Sequence, residues 1–588
     1  MPAEGHFRIL GCVFLLARLS IGQHLKDSPA CDRPVYCDGP LLEAMQAAHF
    51  FNDSKTFVDL NMKADADVVL SAFANTTSSN DNITRKALRE FMEQYFEGPG
   101  NEYEDWEPSD WTSRPAFLGK IKHEPYRRWA ADLHALWKDP ELGRKVKEDV
   151  RLHPERYSLL YSPNAFIVPG GRFRELYYWD SYWVIRGLLL SEMKETTKGM
   201  LENFLAWVKE FGFVPNAGRV YQSGRSQPPF LSPSFAAYLE ATSDIDFLNQ
   251  SIGTLEDEYN FWMTNRSILV DYEGKNYTMN RYDVKLGKPR PESFREDTAT
   301  AAGLTEDDAA EVYADIASAA EAGWGFSTRW FARNNTSLTT IRTREIIPVD
   351  LNALLCWNER LLGKFHRTLG DSKRAEMFEK KALERQTTLM KLLWDPDAGI
   401  WFDWDLAANG RIPVYYVSSF LPLFTGCYGN EKGTDKEEIE RKVLDYIKRT
   451  DLLDFKAPIP TSLIESGEQW DFPNLWPPTQ HMLIEALDSS SLSEAREVAH
   501  FLAARFLATA LVPWEKSQHM YEKFDVRTDT PGRGGEYKVQ IGFGWTNGVA
   551  MILLDKYGYD VGVTSEAMFL YSNNLLIFVI CVVIKLLL

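Results

Sequence analysis

Fourteen residues concentrate the groups in this chain that could do chemistry: Pro169-Gly-Gly-Arg172-Phe-Arg-Glu175-Leu-Tyr-Tyr-Trp179-Asp180-Ser-Tyr182. They bring two arginines, two carboxylates and five aromatics together behind a glycine pair. Aromatic faces beside groups that donate paired hydrogen bonds suit a ligand with apolar C–H faces and many hydroxyls, which describes a sugar. Four more stretches mix charge with aromatics or prolines: 215–230, 288–293, 469–478, and 521–525 continuing through 534–537 to 542–548. None contains a glycine-rich phosphate cradle or a Gly-X-Ser-X-Gly nucleophile turn. The ten histidines are scattered, no Cys/His group has zinc spacing, and neither metal nor cofactor is implied. What remains is carboxylates among arginines and aromatics, the equipment for hydrolysing a glycosidic bond.

Such loops need a scaffold, and the apolar periodicity is helical almost throughout. Amphipathic helices are expected over 41–50, 85–96, 126–137 and 141–150. Helical pairs are expected over 182–193 with 199–211, and over 235–242 with 245–263. Asp350 reads as the N-cap of a helix bearing Leu351, Leu354, Leu355, Leu361, Leu362 and Phe365. Asp371 opens another that reaches Leu393 and stops at Asp395-Pro396. Ser491 and Glu494 read as a capping box. Strand character is confined to 268–272 and 400–404. There is no internal repeat of the kind a solenoid needs. The Trp-Asp pairs at 179, 394, 404 and 470 are too irregular for a propeller. The pattern therefore implies an all-α toroid of paired helices, with loops at one end forming a pocket.

Residues 53–560 contain no low-complexity stretch, linker or long block of like charge, so a single domain is expected over 23–560. A net charge of −18 excludes nucleic acid as a partner, because phosphate binding needs a basic stripe. Arg8, the apolar run 9–17 and Ser20-Ile21-Gly22 mark 1–22 as a signal peptide. Asn52, Asn75, Asn82, Asn249, Asn265, Asn276, Asn334 and Asn335 each begin a glycosylation sequon, which fits a secretory, extracellular chain. Cys31 and Cys37 are expected to close a small loop, whereas pairing of Cys356 with Cys427 does not follow from the sequence. The tail 561–588 ends in a run that is apolar except for Lys585 and short of the ~20 residues that span a bilayer. Its terminal position resembles a lipid-anchor signal, and membrane attachment by lipid or by transmembrane segment is expected.

The stretch 169–182 resembles the first signature of the trehalase family, and 469–478 (Gln469-Trp470-Asp471-Phe-Pro-Asn-Leu475-Trp476-Pro-Pro478) resembles the second. The likeness runs from Asp53-Ser-Lys-Thr56 to 542–548, with Leu475 where the family has a smaller residue. It implies an (α/α)6 toroid and an inverting hydrolysis of α,α-trehalose to two glucose molecules. It also implies a sugar-binding set of Arg172, Trp179, Asp180, Asn216, Arg225, Ser226, Gln227, Arg290, Pro291, Glu292, Gly323 and Glu536, with Glu522 as the general base. Nearby arginines are expected to hold the Glu522 carboxyl at low pKa. The family's general acid lies in Gly-Trp-Asp, where this chain reads Gly323-Trp324-Gly325. Glycine carries no proton, and such an acid is worth about 10²–10⁴-fold. Three readings follow: an impaired, sugar-binding relative; a second carboxylate in the acid's role; or a variant chain whose parent is active. Asp315 and Glu321 precede position 325 in an expected helix and should not reach it.

Overall fold

The computed structural model describes residues 31, 33–78, 84–429 and 436–561. The signal peptide 1–22, the sequon at Asn82 and all of the tail beyond residue 561 lie outside the described residues. Among the described residues no helix is long and apolar enough to cross a membrane.

Twelve helices build the body. In chain order they are α1 (Glu124–Ala135), α2 (Asp180–Leu190), α3 (Lys194–Phe211), α4 (Leu231–Thr242), α5 (Ile245–Asn265) and α6 (Val349–Thr368), then α7 (Ser372–Leu392), α8 (Leu421–Thr425), α9 (Lys436–Arg449), α10 (Pro477–Asp488), α11 (Ser493–Ser517) and α12 (Gly544–Tyr557). The even-numbered helices pack in a ring: α2 on α4, α4 on α6, α6 on α8, α8 on α10, α10 on α12, and α12 back on α2. The odd-numbered helices lie outside them, which makes an (α/α)6 toroid. Burial follows this arrangement. Inner α2 and α12 are apolar nearly all round, while outer α9 buries one stripe (Ile439, Val443, Leu444, Ile447) and exposes its charges apart from the buried Glu440.

The ring closes where α2 meets α12, and glycine makes the closure possible. A Cβ on Gly548 would sit 2.1 Å from the Trp183 carbonyl oxygen, and one on Gly187 would lie 3.1 Å from the Gly548 Cα. The site loops run into the N-terminal ends of inner helices: 169–179 into α2, 215–230 into α4, 469–476 into α10 and 536–543 into α12. One end of the toroid thereby collects all the segments singled out by composition.

Several local expectations fail, two because another partner claims the capping side chain and one because the backbone pairs as a strand. Asp350 does not cap α6; Pro348 occupies that position and Asp350 is paired with the buried Arg329. Ser491 and Glu494 make no capping box: α11 begins at Ser493, and the Ser491 hydroxyl donates to Glu440. Residues 141–150 are not one helix. Gly143–Val146 is a strand between Tyr103–Glu104 and Phe166–Ile167, and a short helix follows at Glu148–Leu152. By contrast, Asp371 caps α7 by accepting from the Arg374 amide, and Ser267–Tyr272 pairs with Lys275–Asn280 as a hairpin. Both cysteine pairs are bonded, Cys31 to Cys37 and Cys356 to Cys427.

Candidate active site

Gly170 and Gly171 have φ of +119° and +59°, and a Cβ on either would lie 2.4 Å from an oxygen of the 540–542 segment. Only glycine allows that approach. It locks the first candidate stretch to the last: the Arg172 amide donates to Gln540 Oε1 at 2.8 Å, and its guanidinium stands 4.8 Å over the Tyr537 ring. Trp179 follows, buried edge-on against Trp183 and Trp545 and anchored by its amide to Gln227 Oε1 at 3.0 Å. Gly323, at φ +70°, lies against the Trp179 indole, which a Cβ there would touch at 3.0 Å.

These segments enclose a cleft of about 140 Å³. Arg172, Trp179, Asp180, Asn216, Arg225, Gln227, Arg290, Glu292, Gly323, Gly325, Glu522 and Glu536 all line it. Ser226 and Pro291 are buried behind the wall rather than on it. The Ser226 hydroxyl donates to the Val214 carbonyl at 2.7 Å, and its amide to Glu321 at 2.9 Å. Asn216 donates to the Ser226 and Ala320 carbonyls, closing its own loop and tying it to the end of the helix Glu306–Glu321. The cleft also takes residues outside the expected set, among them Lys55, Phe173, Gln469, Trp470, Trp476 and Tyr537. Most belong to stretches already marked by composition. Lys55 had no such signal, and comes from a helix far from the others in sequence.

The charges of the wall are arranged in pairs. Arg225 binds Glu292, while Arg290 binds Asp297 at 2.7 Å and Glu536 at 2.7 Å. Burial alone would raise the Glu292 pKa, but Arg225 and Arg290 together hold it below the ordinary range. Burial pushes Asp297 up to about 6 despite Arg290. Asp180, the first residue of α2, is raised well above the usual carboxylate range by burial, with Glu522 adding like charge.

Glu522 differs from what the arginine-rich sequence suggested. Its pKa is raised, because burial outweighs everything that favours its charge. The Tyr537 hydroxyl donates to Oε1 at 2.6 Å and the Gln540 amide to Oε2 at 3.2 Å; Lys523 and, more weakly, Arg172 also pull the pKa down. Arg172 is too minor a contributor to decide the sign. The result is a carboxylate held by two donors in a dry wall, an arrangement that suits a base.

Gly325 lies on the same cleft at φ +47°. A Cβ there would sit 2.6 Å from the Gln469 Nε2 and 3.0 Å from the Trp470 indole. Neither neighbouring acid substitutes from the preceding helix, Glu306–Glu321. Both oxygens of Glu321 are taken by Arg266, at 2.7 and 2.8 Å, and Asp315 is bound to Arg344.

Comparison with known proteins gives a consistent picture. The family model described as Trehalase matches residues 49–558. The chain is 45% identical to a trehalase of Homo sapiens over 551 residues, covering 93% of each chain. It is 42% identical to a trehalase of Apis mellifera, covering 91% of this chain and 85% of that one. Among solved structures it resembles the neutral trehalase of Saccharomyces cerevisiae, with a TM-score of 0.54 and 25% identity over 67% of this chain and 73% of that one.

Proposed function

Because the chain belongs to the trehalase family of glycoside hydrolases, we propose that it hydrolyses α,α-trehalose to two glucose molecules with inversion, Glu522 acting as general base. The observation that carries this reading is the Glu522 environment: a buried carboxylate, held by Tyr537 and Gln540, on a cleft lined by paired arginines and tryptophans. Glu522 takes a proton from the attacking water as that water's oxygen bonds to the anomeric carbon. Arg172, Arg225 and Arg290 address sugar hydroxyls, Trp179 offers a face to a pyranose ring, and Asp180 presents its carboxyl to the sugar. Glu292 and Glu536 set the direction of two of the arginines, and Gly323 lets the chain pass close to Trp179.

A second reading is favoured by one observation, the glycine at 325. On it, the chain keeps a sugar-binding cleft and hydrolyses inefficiently. Glucose release from trehalose by the purified chain, with the product anomer followed by NMR, separates the two. β-Glucose formed alongside α-glucose supports the first reading. Trehalose binding with no glucose release supports the second.

The location in this reading is extracellular. Two disulfides support it, as do the seven described sequon asparagines, every one of them exposed. The tail 561–588 completes the reading as an anchor or anchor signal. Release of the protein from cell surfaces by a phospholipase that cuts glycolipid anchors tests which.

A further inference from the structure

Three glutamines line the cleft, Gln222, Gln227 and Gln469. Two of them are engaged with the protein. Gln227 accepts the Trp179 amide at 3.0 Å, and Gln222 donates to the Tyr177 hydroxyl at 3.4 Å. Gln469 is different: among the described residues its side chain makes no hydrogen bond, and its Oε1 is buried without a partner. The residue is only 6% exposed. A buried amide left unpaired is costly, so one that lines a cleft points to a ligand that completes it.

The backbone fixes where the Gln469 side chain starts. Its carbonyl accepts the Trp476 indole N–H at 3.0 Å, and the next amide, that of Trp470, donates to the Phe326 carbonyl at 3.1 Å. Trp470 is stacked flat on Trp476, with ring centroids 4.0 Å apart. From this anchored point the side chain runs between two glycines. A Cβ on Gly535 would lie 2.6 Å from both its Cβ and its Oε1, and a Cβ on Gly325 would lie 2.6 Å from its Nε2. Nε2 is thus the end of the amide that faces Gly325, itself on the cleft wall. A side chain at 325 and this amide compete for one space.

We propose that Gln469 is a sugar-binding residue of this cleft: its Nε2 donates to one hydroxyl oxygen of the bound disaccharide, and glycine at 325 is what leaves the amide its place. This rests on the reading of the cleft as a trehalose site. The chemistry suits the partner. A primary amide is a neutral donor of fixed direction, and a sugar hydroxyl accepts such a bond without any change of charge in the cleft. The guanidiniums of Arg225 and Arg290, by contrast, are already committed to carboxylates. The role is one of positioning and specificity, because a site built to bond a hydroxyl discriminates against a sugar that lacks it.

The test is calorimetric binding of trehalose and of its symmetrically deoxygenated analogues. Each analogue lacks the same hydroxyl on both rings, so turning the disaccharide round changes nothing. The protein carries Glu522→Gln throughout, which lets binding be read without turnover. In this parent, Gln469→Met keeps the length of the side chain, removes the donor and should weaken trehalose binding about 5–100-fold. It should cost far less on the one analogue that lacks the hydroxyl Gln469 addresses, and its full effect should persist on the others. Gly325→Ala approaches the same contact from the other residue. It should reproduce the pattern, and its loss should not add to that of Gln469→Met. A merely structural role would weaken every analogue alike, and that result overturns the proposal. Trehalose affinity within about twofold of the parent's in Gln469→Met overturns it too, since a lost hydrogen bond costs more. In both cases the parent still binds trehalose, and the cleft reading stands. A parent that binds neither trehalose nor any analogue overturns the reading on which the proposal rests.

Discussion

On the wall that carries Glu522, three donors converge on one residue: the Tyr537 hydroxyl and the Gln540 amide on its carboxylate, and the Trp545 indole on its carbonyl at 3.1 Å. The wall around Gly325 is equally well packed but chemically different, since it offers the Gln469 amide and the Trp470 indole where a carboxyl would be needed. Packing is tight on both walls, whereas on the proposed mechanism only one of them carries its proton-handling carboxyl. In a toroid whose loops are fixed by helices on either side, a catalytic group can be absent without the cleft losing shape. Shape alone is thus a poor guide to activity here, and the informative features are which carboxyls are paired and which are not.

The largest effect expected from this contrast is at Glu522. Glu522→Gln keeps the shape and both donors' neighbourhood but removes the base, and should cost about 10²–10⁴-fold in kcat. It should appear on trehalose and on α-glucosyl fluoride alike, because both need an activated water. Equal losses on both substrates would assign the activation of water to the Glu522 wall. If Glu522→Gln remained active on either substrate, the wall now called the base side would have to be reassigned.

A smaller effect is expected from Gly325→Ala, which probes space on the other wall without adding an acid. The φ of +47° disfavours any Cβ, and the new methyl would press on Gln469. The backbone alone should cost about 1–2 kcal/mol of stability, read as a lower midpoint in urea with an unchanged slope. Gly325→Asp carries the same strain, but aspartate tolerates the left-handed region better and its carboxyl restores an acid. Stability lost in Ala with activity recovered only in Asp would show that position 325 lacks a group, not room.

The sequence made much of the toroid legible, because outer helices expose one face and their apolar periodicity survives translation into a fold. It did not show which helices are neighbours around the ring. The α2/α12 seam depends on Gly187 and Gly548, residues that a helix pattern treats as weak points. Helix starts were misread wherever a capping side chain had a stronger distant partner, as with Asp350 on Arg329 and Ser491 on Glu440. Cleft residues were legible as aromatic and charged stretches, yet their charge states were not. An arginine-rich neighbourhood suggests a depressed carboxylate, but in the folded protein Arg225 and Arg290 spend their charge on Glu292, Asp297 and Glu536. Glu522 is left to burial. Gly325 was visible from the start, whereas the pairing of the nearby acids, such as Glu321 with Arg266, emerges only in the folded protein.

The smallest expected effect tests why Glu522 works where burial opposes it. Burial raises its pKa, and the Tyr537 hydroxyl is the strongest single group acting the other way. A hydrogen bond to a carboxylate favours the charged form, so removing it must raise the pKa further. The base has to be ionised, so the acid limb of kcat/KM should move to higher pH in Tyr537→Phe. On the acid side the rate should fall about 2–10-fold, the worth of one hydrogen bond, while the plateau above the limb changes less. A purely structural role for Tyr537 would lower the whole profile and leave the limb where it is.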